Sequence, residues 1–277
     1  MEARTKVKRR FLRVGGAALA GALLLGACGT TTQPGAVGVE RQQTLLVSSA
    51  QIEQAAAQSY SRIIADASRK GLLNRNAQQV VRVRQIAGRL IAQTGTFRPD
   101  ARRWKWETNV LTSKELNAWC MPGGKIAVYT GLIERLQLSD SELAAVMGHE
   151  IAHALREHGR ERASEQLATA AAIGIAGALL GAPSGTMDLA AIVADLTISK
   201  PNSRTHEIEA DRIGVELAAR AGYDPYGAVT VWQKMARANG GEPPQFLSTH
   251  PSSENRIADL QVYAARVQPL YEQARKR

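Results

Sequence analysis

The chain has 277 residues, which suits one catalytic domain with extensions or two small domains and is long enough to bury a real core. Its formal charge of +10 is inflated at the start: the first 27 residues hold six of the 35 Lys+Arg and one of the 25 Asp+Glu, leaving 29 against 24 beyond them. No basic stripe interleaved with aromatics appears, so composition excludes any need for a nucleic-acid partner and fits an ordinary solvated surface.

Residues 1–27 read as a targeting segment. "KVKRRFLR" is a positive start, and "VGGAALAGALLLGA" is an apolar run too short for a comfortable membrane span. "LGAC", ending at Cys28, resembles a bacterial lipobox. That resemblance implies cleavage before Cys28, a lipid on its thiol and attachment to a membrane. Gly29 follows, not the aspartate that commonly retains lipoproteins in the inner membrane, so the resemblance favours the periplasmic face of the outer membrane. An inner-membrane or Gram-positive cell-surface lipoprotein is the alternative, and an ordinary secretory signal with a chance cysteine competes with both. "KRRFL" also approaches a twin-arginine pattern, which any basic leader easily produces. With Cys28 lipidated, Cys120 has no partner, and the mature domain holds no internal disulfide.

After Cys28, "GTTTQPGAVG" is small and turn-forming, and residues 28–47 are expected as a flexible tether. The catalytic domain is expected over 48–277, with 48–95 as a helical scaffold. Two helical patterns lie there, one carrying Ile52, Ala56, Ile63 and Ile64, the other Val80, Val83, Ile86, Ala87, Leu90 and Ile91. Residues 104–110 alternate as a strand, and 117–121 and 125–130 flank Pro122-Gly123-Gly124 as a hairpin.

"SDSE", Ser139 to Glu142, reads as a capping box opening a helix through Leu143, Ala144, Val146 and Met147. That helix carries "GHEIAH". Shuffling this composition produces roughly 0.006 H-E-x-x-H matches, so chance explains the motif poorly. A helical turn puts His149 and His153 on one face, about 40° apart, where two imidazoles grip one ion. Glu150 lies too far round to be a ligand but within reach of a metal-bound water, which is a general base's position. His158 is five residues beyond His153, about 140° round a continuing helix, and is expected at the surface. Residues 167–182, sixteen without a charge, are expected as a buried helix packed against the active-site helices, in preference to a membrane contact.

A catalytic zinc usually takes three protein ligands and keeps one place for water. Arg156 and Gly159 occupy the places where a metzincin needs glycine and histidine, so that class fails. "HEIEADRIG", from His206, offers Glu207 and Asp211 on one helical face. Glu207 would complete the zinc site and Asp211 would accept a hydrogen bond from the far nitrogen of a ligating histidine. Glu209 faces elsewhere and is the second choice of ligand; a solvated acidic face is the competing reading, and His206 is a bystander.

Together "NAWCMPGGKIAVYTGLI", "SELAAVMGHEIAHALREHGRER", "EIEADRIGVELAARAGYDP" and "STHPSSENR" resemble the HtpX-like zinc metallopeptidases, family 48 of the metallopeptidases, in their periplasmic lipoprotein branch. The resemblance covers roughly residues 48–265. It implies an α+β, mainly helical, zincin-like metalloprotease domain with a small sheet and hairpin. One Zn2+ per chain would be held by His149, His153 and Glu207, with Glu150 as base and Asp211 in support. His250 and Arg256 would lie near the metal as transition-state or gating groups. The implied reaction is endopeptidase cleavage of unfolded or misassembled envelope proteins, lying extended along an exposed strand near 117–121 or 125–130. A zinc-bearing chaperone or assembly factor serving the outer-membrane assembly machinery is the alternative.

Overall fold

The computed structural model describes residues 28–179, 188–238, 245–251 and 255–276. The leader at 1–27 lies outside these residues, as do 180–182 of the apolar stretch and 252–254 of the "STHPSSENR" segment. The described residues are mainly helical around a small sheet. Strand β1 (Cys28–Gly29) pairs antiparallel with β2 (Gln43–Thr44). Helices α1 (Ser49–Arg69) and α2 (Ala77–Ile91) follow, each opened by a side-chain cap, Ser48 and Asn76. Ile52, Ala56, Val83 and Leu90 of their apolar faces are buried.

Strands β3 (Glu107–Leu111), β4 (Ala118–Met121) and β5 (Lys125–Tyr129) form one mixed sheet in the order β3-β5-β4. The hairpin at Pro122-Gly123-Gly124 is as expected, with Gly123 and Gly124 at φ +76° and +81°. β5 lies between the other two and runs parallel to β3, so it has no free edge. Every side chain of β4 is buried, with α6 (Leu189–Ile198) packed against it. Neither strand is therefore the openly exposed one anticipated for substrate; β4 keeps an edge, beneath that helix.

Helix α3 (Thr130–Arg135) leads to α4 (Asp140–Leu155), whose capping box is present: Ser139 Oγ accepts from Glu142 N at 3.3 Å and Glu142 Oε2 accepts from Ser139 N at 2.8 Å. Then come α5 (His158–Leu179), α7 (Arg204–Arg220), α8 (Gly227–Arg237), α9 (Gln245–Thr249) and α10 (Arg256–Ala274). α4 is buried almost throughout and packs against β4, α7 and α8.

Two expectations are corrected. Residues 28–47 are not a loose tether: Val37 and Val39 are buried, and Gln33 N donates to Phe97 O at 2.7 Å. The cause is a buried carboxylate. Glu216 Oε2, on fully buried Glu216 of α7, accepts from Ala36 N at 2.7 Å and Val37 N at 3.1 Å. Gly35 makes this turn at φ +61°, where a Cβ would come within 2.7 Å of that carboxylate. Turn-forming composition thus marks an ordered loop here. The apolar stretch from 167 is also not a buried helix in its described part: α5 is buried at Ala163 and Ser164, but between Leu167 and Ile173 no side chain is buried, and Ile173 is exposed. Among the described residues no helix is long and apolar enough to cross a membrane.

Glu216→Ala is expected to orphan two backbone N–H groups and to cost about 1–3 kcal/mol. Thermal melts would show the loss, and limited proteolysis would show new cuts within 30–42. An unchanged melt and digestion pattern would mean that the loop is held by other contacts.

Candidate metal centre

The centre begins with a close approach of two helix backbones. A Cβ on Gly148 of α4 would lie 2.8 Å from Gly214 O, and one on Gly214 of α7 would lie 2.7 Å from His149 N. Only glycine at both positions lets the helices touch there. His149 and His153 project from α4 one turn apart, with their Nε2 atoms 3.1 Å apart. α7, capped by Ser203, brings Glu207 and Asp211 over them.

Glu207 Oε2 is 3.3 Å from His149 Nε2, and Oε1 is 3.3 Å from His153 Nε2. Asp211 Oδ1 is 2.9 Å from His149 Nδ1. The chain returns after α9 to place His250 Nδ1 3.0 Å from Glu207 Oε1 and 3.1 Å from His149 Nε2. One donor atom from each of His149, His153, Glu207 and His250 lies within 4.8 Å of the others, and all four residues are buried.

These donors fit a metal better than they fit one another. His149 Nε2, His153 Nε2 and His250 Nδ1 converge on the Glu207 carboxylate, and a single ion can take a lone pair from each of the four residues at once. Bonds of about 2.0–2.1 Å to a tetrahedral ion set donors roughly 3.3 Å apart, close to the spacings seen. One carboxylate oxygen beside the centre, Glu150 Oε1, also lacks a hydrogen-bonding partner despite burial.

The charges follow from burial and neighbours. Burial opposes charge on His149, but the Glu207 and Asp211 carboxylates outweigh it and push the ring up to about 9. Burial holds His153 well below the ordinary histidine value. Glu207 is buried too, yet His250 and His149 keep its carboxyl well below the usual range. Burial raises Glu150, which suits a group that must take up a proton. Glu150 stands beside the donor group, its Oε1 3.4 Å from His250 Nε2.

Among donor sets, two histidines on one helix and a carboxylate on another, with a further glutamate beside them, are those of a metallopeptidase. A family model described as Peptidase family M48 matches residues 77–264. The chain belongs to Peptidase family M48. M48 peptidases are zinc-dependent, and the donor group of this one can hold a single ion. Mitochondrial metalloendopeptidase OMA1 of Arabidopsis thaliana is 40% identical over 151 residues, covering 54% of this chain and 30% of the relative. The Schizosaccharomyces pombe OMA1 is 35% identical over 188 residues, covering 67% and 53%. The beta-barrel assembly-enhancing protease of Escherichia coli is 32% identical over 176 residues, covering 60% and 36%. The chain thus spans between about a third and a half of the length of these relatives.

Several residues stand differently in this M48 domain from their sequence-based places. His158 is not at the surface but 1% exposed, its Nδ1 2.8 Å from His153 Nδ1. The helix does not continue: α4 ends at Leu155, Glu157 turns at φ +53°, and α5 starts afresh at His158, so the angle around α4 does not apply. His206 is no bystander, since it stacks on His158 with centroids 4.3 Å apart and places Nε2 3.2 Å from Glu161 Oε2. Glu209 points to the other side of α7, toward Arg156, Arg41 and His158, and takes no part in the donor group. Arg256 does reach the centre, but its Nη1 is 3.0 Å from Glu207 Oε2 and its Nη2 donates to Asp211 Oδ1 at 2.7 Å. Its guanidinium lies over Trp232, 3.5 Å from the ring centroid. It braces the two carboxylates from behind and does not project into the cleft lined by Glu150, His153, Cys120 and Pro122.

Gly214→Ala is expected to push α7 from α4 by several tenths of an ångström and to weaken zinc binding about tenfold, comparable to removing a ligand's hydrogen-bonding partner. Competition with a colorimetric chelator measures this. Wild-type affinity in a folded variant would show that Glu207 does not depend on the contact.

Proposed function

We propose that this chain is a zinc-dependent endopeptidase of the bacterial cell envelope that hydrolyses unfolded or misassembled envelope proteins. The observation that carries the catalytic reading is the buried donor group of His149, His153 and Glu207 with the unpartnered Glu150 oxygen beside it. A purely structural zinc site needs ligands and no base.

His149, His153 and Glu207 would hold zinc, which would supply Lewis acidity toward a peptide carbonyl and lower the pKa of water to about 7. Glu150 takes the proton that water loses as it adds to the scissile carbonyl, and returns it to the departing amine. Asp211 holds His149 by Nδ1, and Arg256 holds Asp211 and Glu207, so the ligands keep their orientation through the cycle. His250 shares the donor group and must yield room for a substrate carbonyl, which makes it the gating group and a stabiliser of developing charge. Substrate would reach Glu150 through the cleft that Cys120, Pro122 and His153 line with it.

The envelope assignment draws on the lipobox-like "LGAC" and on the similarity to a protease whose name refers to beta-barrel assembly. Lipid on Cys28 would tether the domain to the periplasmic face of the outer membrane, within reach of the assembly machinery. The name of that relative also favours a second reading, an assembly factor in which zinc supports binding and cleavage is rare.

Glu150→Gln separates the two. Glutamine preserves size but cannot take the proton, so cleavage of an unfolded protein should fall about 10²- to 10⁴-fold while zinc content is kept. Undiminished cleavage by the metal-loaded variant would refute the mechanism; full rescue of envelope integrity in a deletion strain without cleavage would favour the assembly factor. Radioactive fatty acid fed to the same strain should label the wild type and not Cys28→Ser, and label persisting on the serine variant would remove the lipid anchor.

A further inference from the structure

The two histidines of the motif are oriented by different partners. His149 gives its Nδ1–H to a carboxylate, Asp211. His153 has no carboxylate at Nδ1; it faces another imidazole, with His158 Nδ1 at 2.8 Å. A contact this short between two ring nitrogens requires one to carry the proton and the other a lone pair.

The far side of His158 decides which. Its Nε2 is 3.0 Å from Glu209 Oε2, and a carboxylate clasped by two guanidinium groups accepts there. Arg156 Nε stands 3.1 Å from that same oxygen, and Arg41 Nε donates to Glu209 Oε1 at 2.8 Å. His158 Nε2 therefore carries the hydrogen and its Nδ1 the lone pair. The ring is buried and stacked 18° from parallel on His206, which fixes Nδ1 toward His153 and Nε2 toward Glu209, and a His153 that gives its Nε2 lone pair to an ion has a hydrogen only on Nδ1. It follows that His153 holds its hydrogen on Nδ1 and presents a bare Nε2 to the donor group.

We infer that His158 is a positioning residue for the metal centre, accepting the Nδ1–H of His153 so that the Nε2 lone pair of His153 points at the ion, with Glu209 fixing His158 from behind. The relay passes from Glu209 through His158 to His153, whereas Asp211 acts on His149 directly. It also gives a task to the N-terminal segment, since Arg41 bridges Glu209 and Glu161, and Glu161 in turn pairs with His206, the ring on which His158 stacks. The inference rests on the reading of His153 as a zinc ligand.

The test uses the full chain and zinc itself. His158→Phe keeps a buried ring but offers no acceptor, and the zinc dissociation constant should rise about 10- to 100-fold, as for loss of other groups that orient a metal-bound histidine. His158→Gln, whose amide oxygen can accept from His153, should recover most of that loss, which a merely structural role does not explain. His158→Phe binding zinc within about twofold of the wild type, with an unchanged melt of the chelator-treated protein, would overturn the relay. His153→Phe distinguishes the two levels: if it also keeps zinc, the reading of the metal centre fails and not the relay alone. Should His158→Phe not fold, nitrogen-15 spectra of the chelator-treated wild type decide, with hydrogen on Nδ1 of His153 expected and hydrogen on Nε2 overturning the inference.

Discussion

The backbone contact between α4 and α7 at Gly148 and Gly214 is the constraint on which the centre depends. Two helices with ordinary side chains at their crossing keep their axes about 8–10 Å apart, too far for a glutamate of one to meet the histidines of the other without slack. Here a Cβ on either glycine would overlap the facing backbone, so the helices meet at the lower limit of approach. Glu207 and Asp211, one turn apart on α7, then straddle His149, one at each ring nitrogen. Precision in the site is inherited from rigid helices, not from loops.

Around that contact, among the described residues, buried charges other than Glu150 are set against opposite ones. On one side Arg256 answers Glu207 and Asp211. On the other, Arg156 and Arg41 answer Glu209 and Glu161, with His158 and His206 between them. Removing one partner from a buried set of this kind costs far more than the set contributes as a whole, because the remaining charge is left in a poor solvent. Arg41 and the loop on Glu216 make residues 30–47 part of this arrangement and not merely a leash to a membrane.

What could be read in the sequence was local. The H-E-x-x-H spacing, the capping box and the i, i+4 pair Glu207 and Asp211 are consequences of helical periodicity within one element, and the hairpin is announced by Pro122-Gly123-Gly124. Other features rest on contacts that no short pattern records. The break after Leu155 depends on Glu157, a non-glycine residue at positive φ, so extrapolating α4 put His158 on the wrong side. The fixed loop at 30–39 depends on a carboxylate some 180 positions later, and a turn-rich composition alone reads as a tether. Resemblance puts Arg256 near the metal, but which groups it holds is decided by how α10 returns across α7. The parallel pairing of β3 with β5 is equally non-local.

X-ray absorption at the zinc edge of the metal-loaded chain tests most directly whether α4 and α7 together hold one ion. Expected is a shell of nitrogen and oxygen only, at about 2.0–2.1 Å, with imidazole scattering that weakens when His149 or His153 is replaced by phenylalanine. A sulfur neighbour at about 2.3 Å, which only a cysteine such as Cys120 supplies at that distance, or a spectrum unaltered in the double variant His149→Phe, His153→Phe, would contradict it.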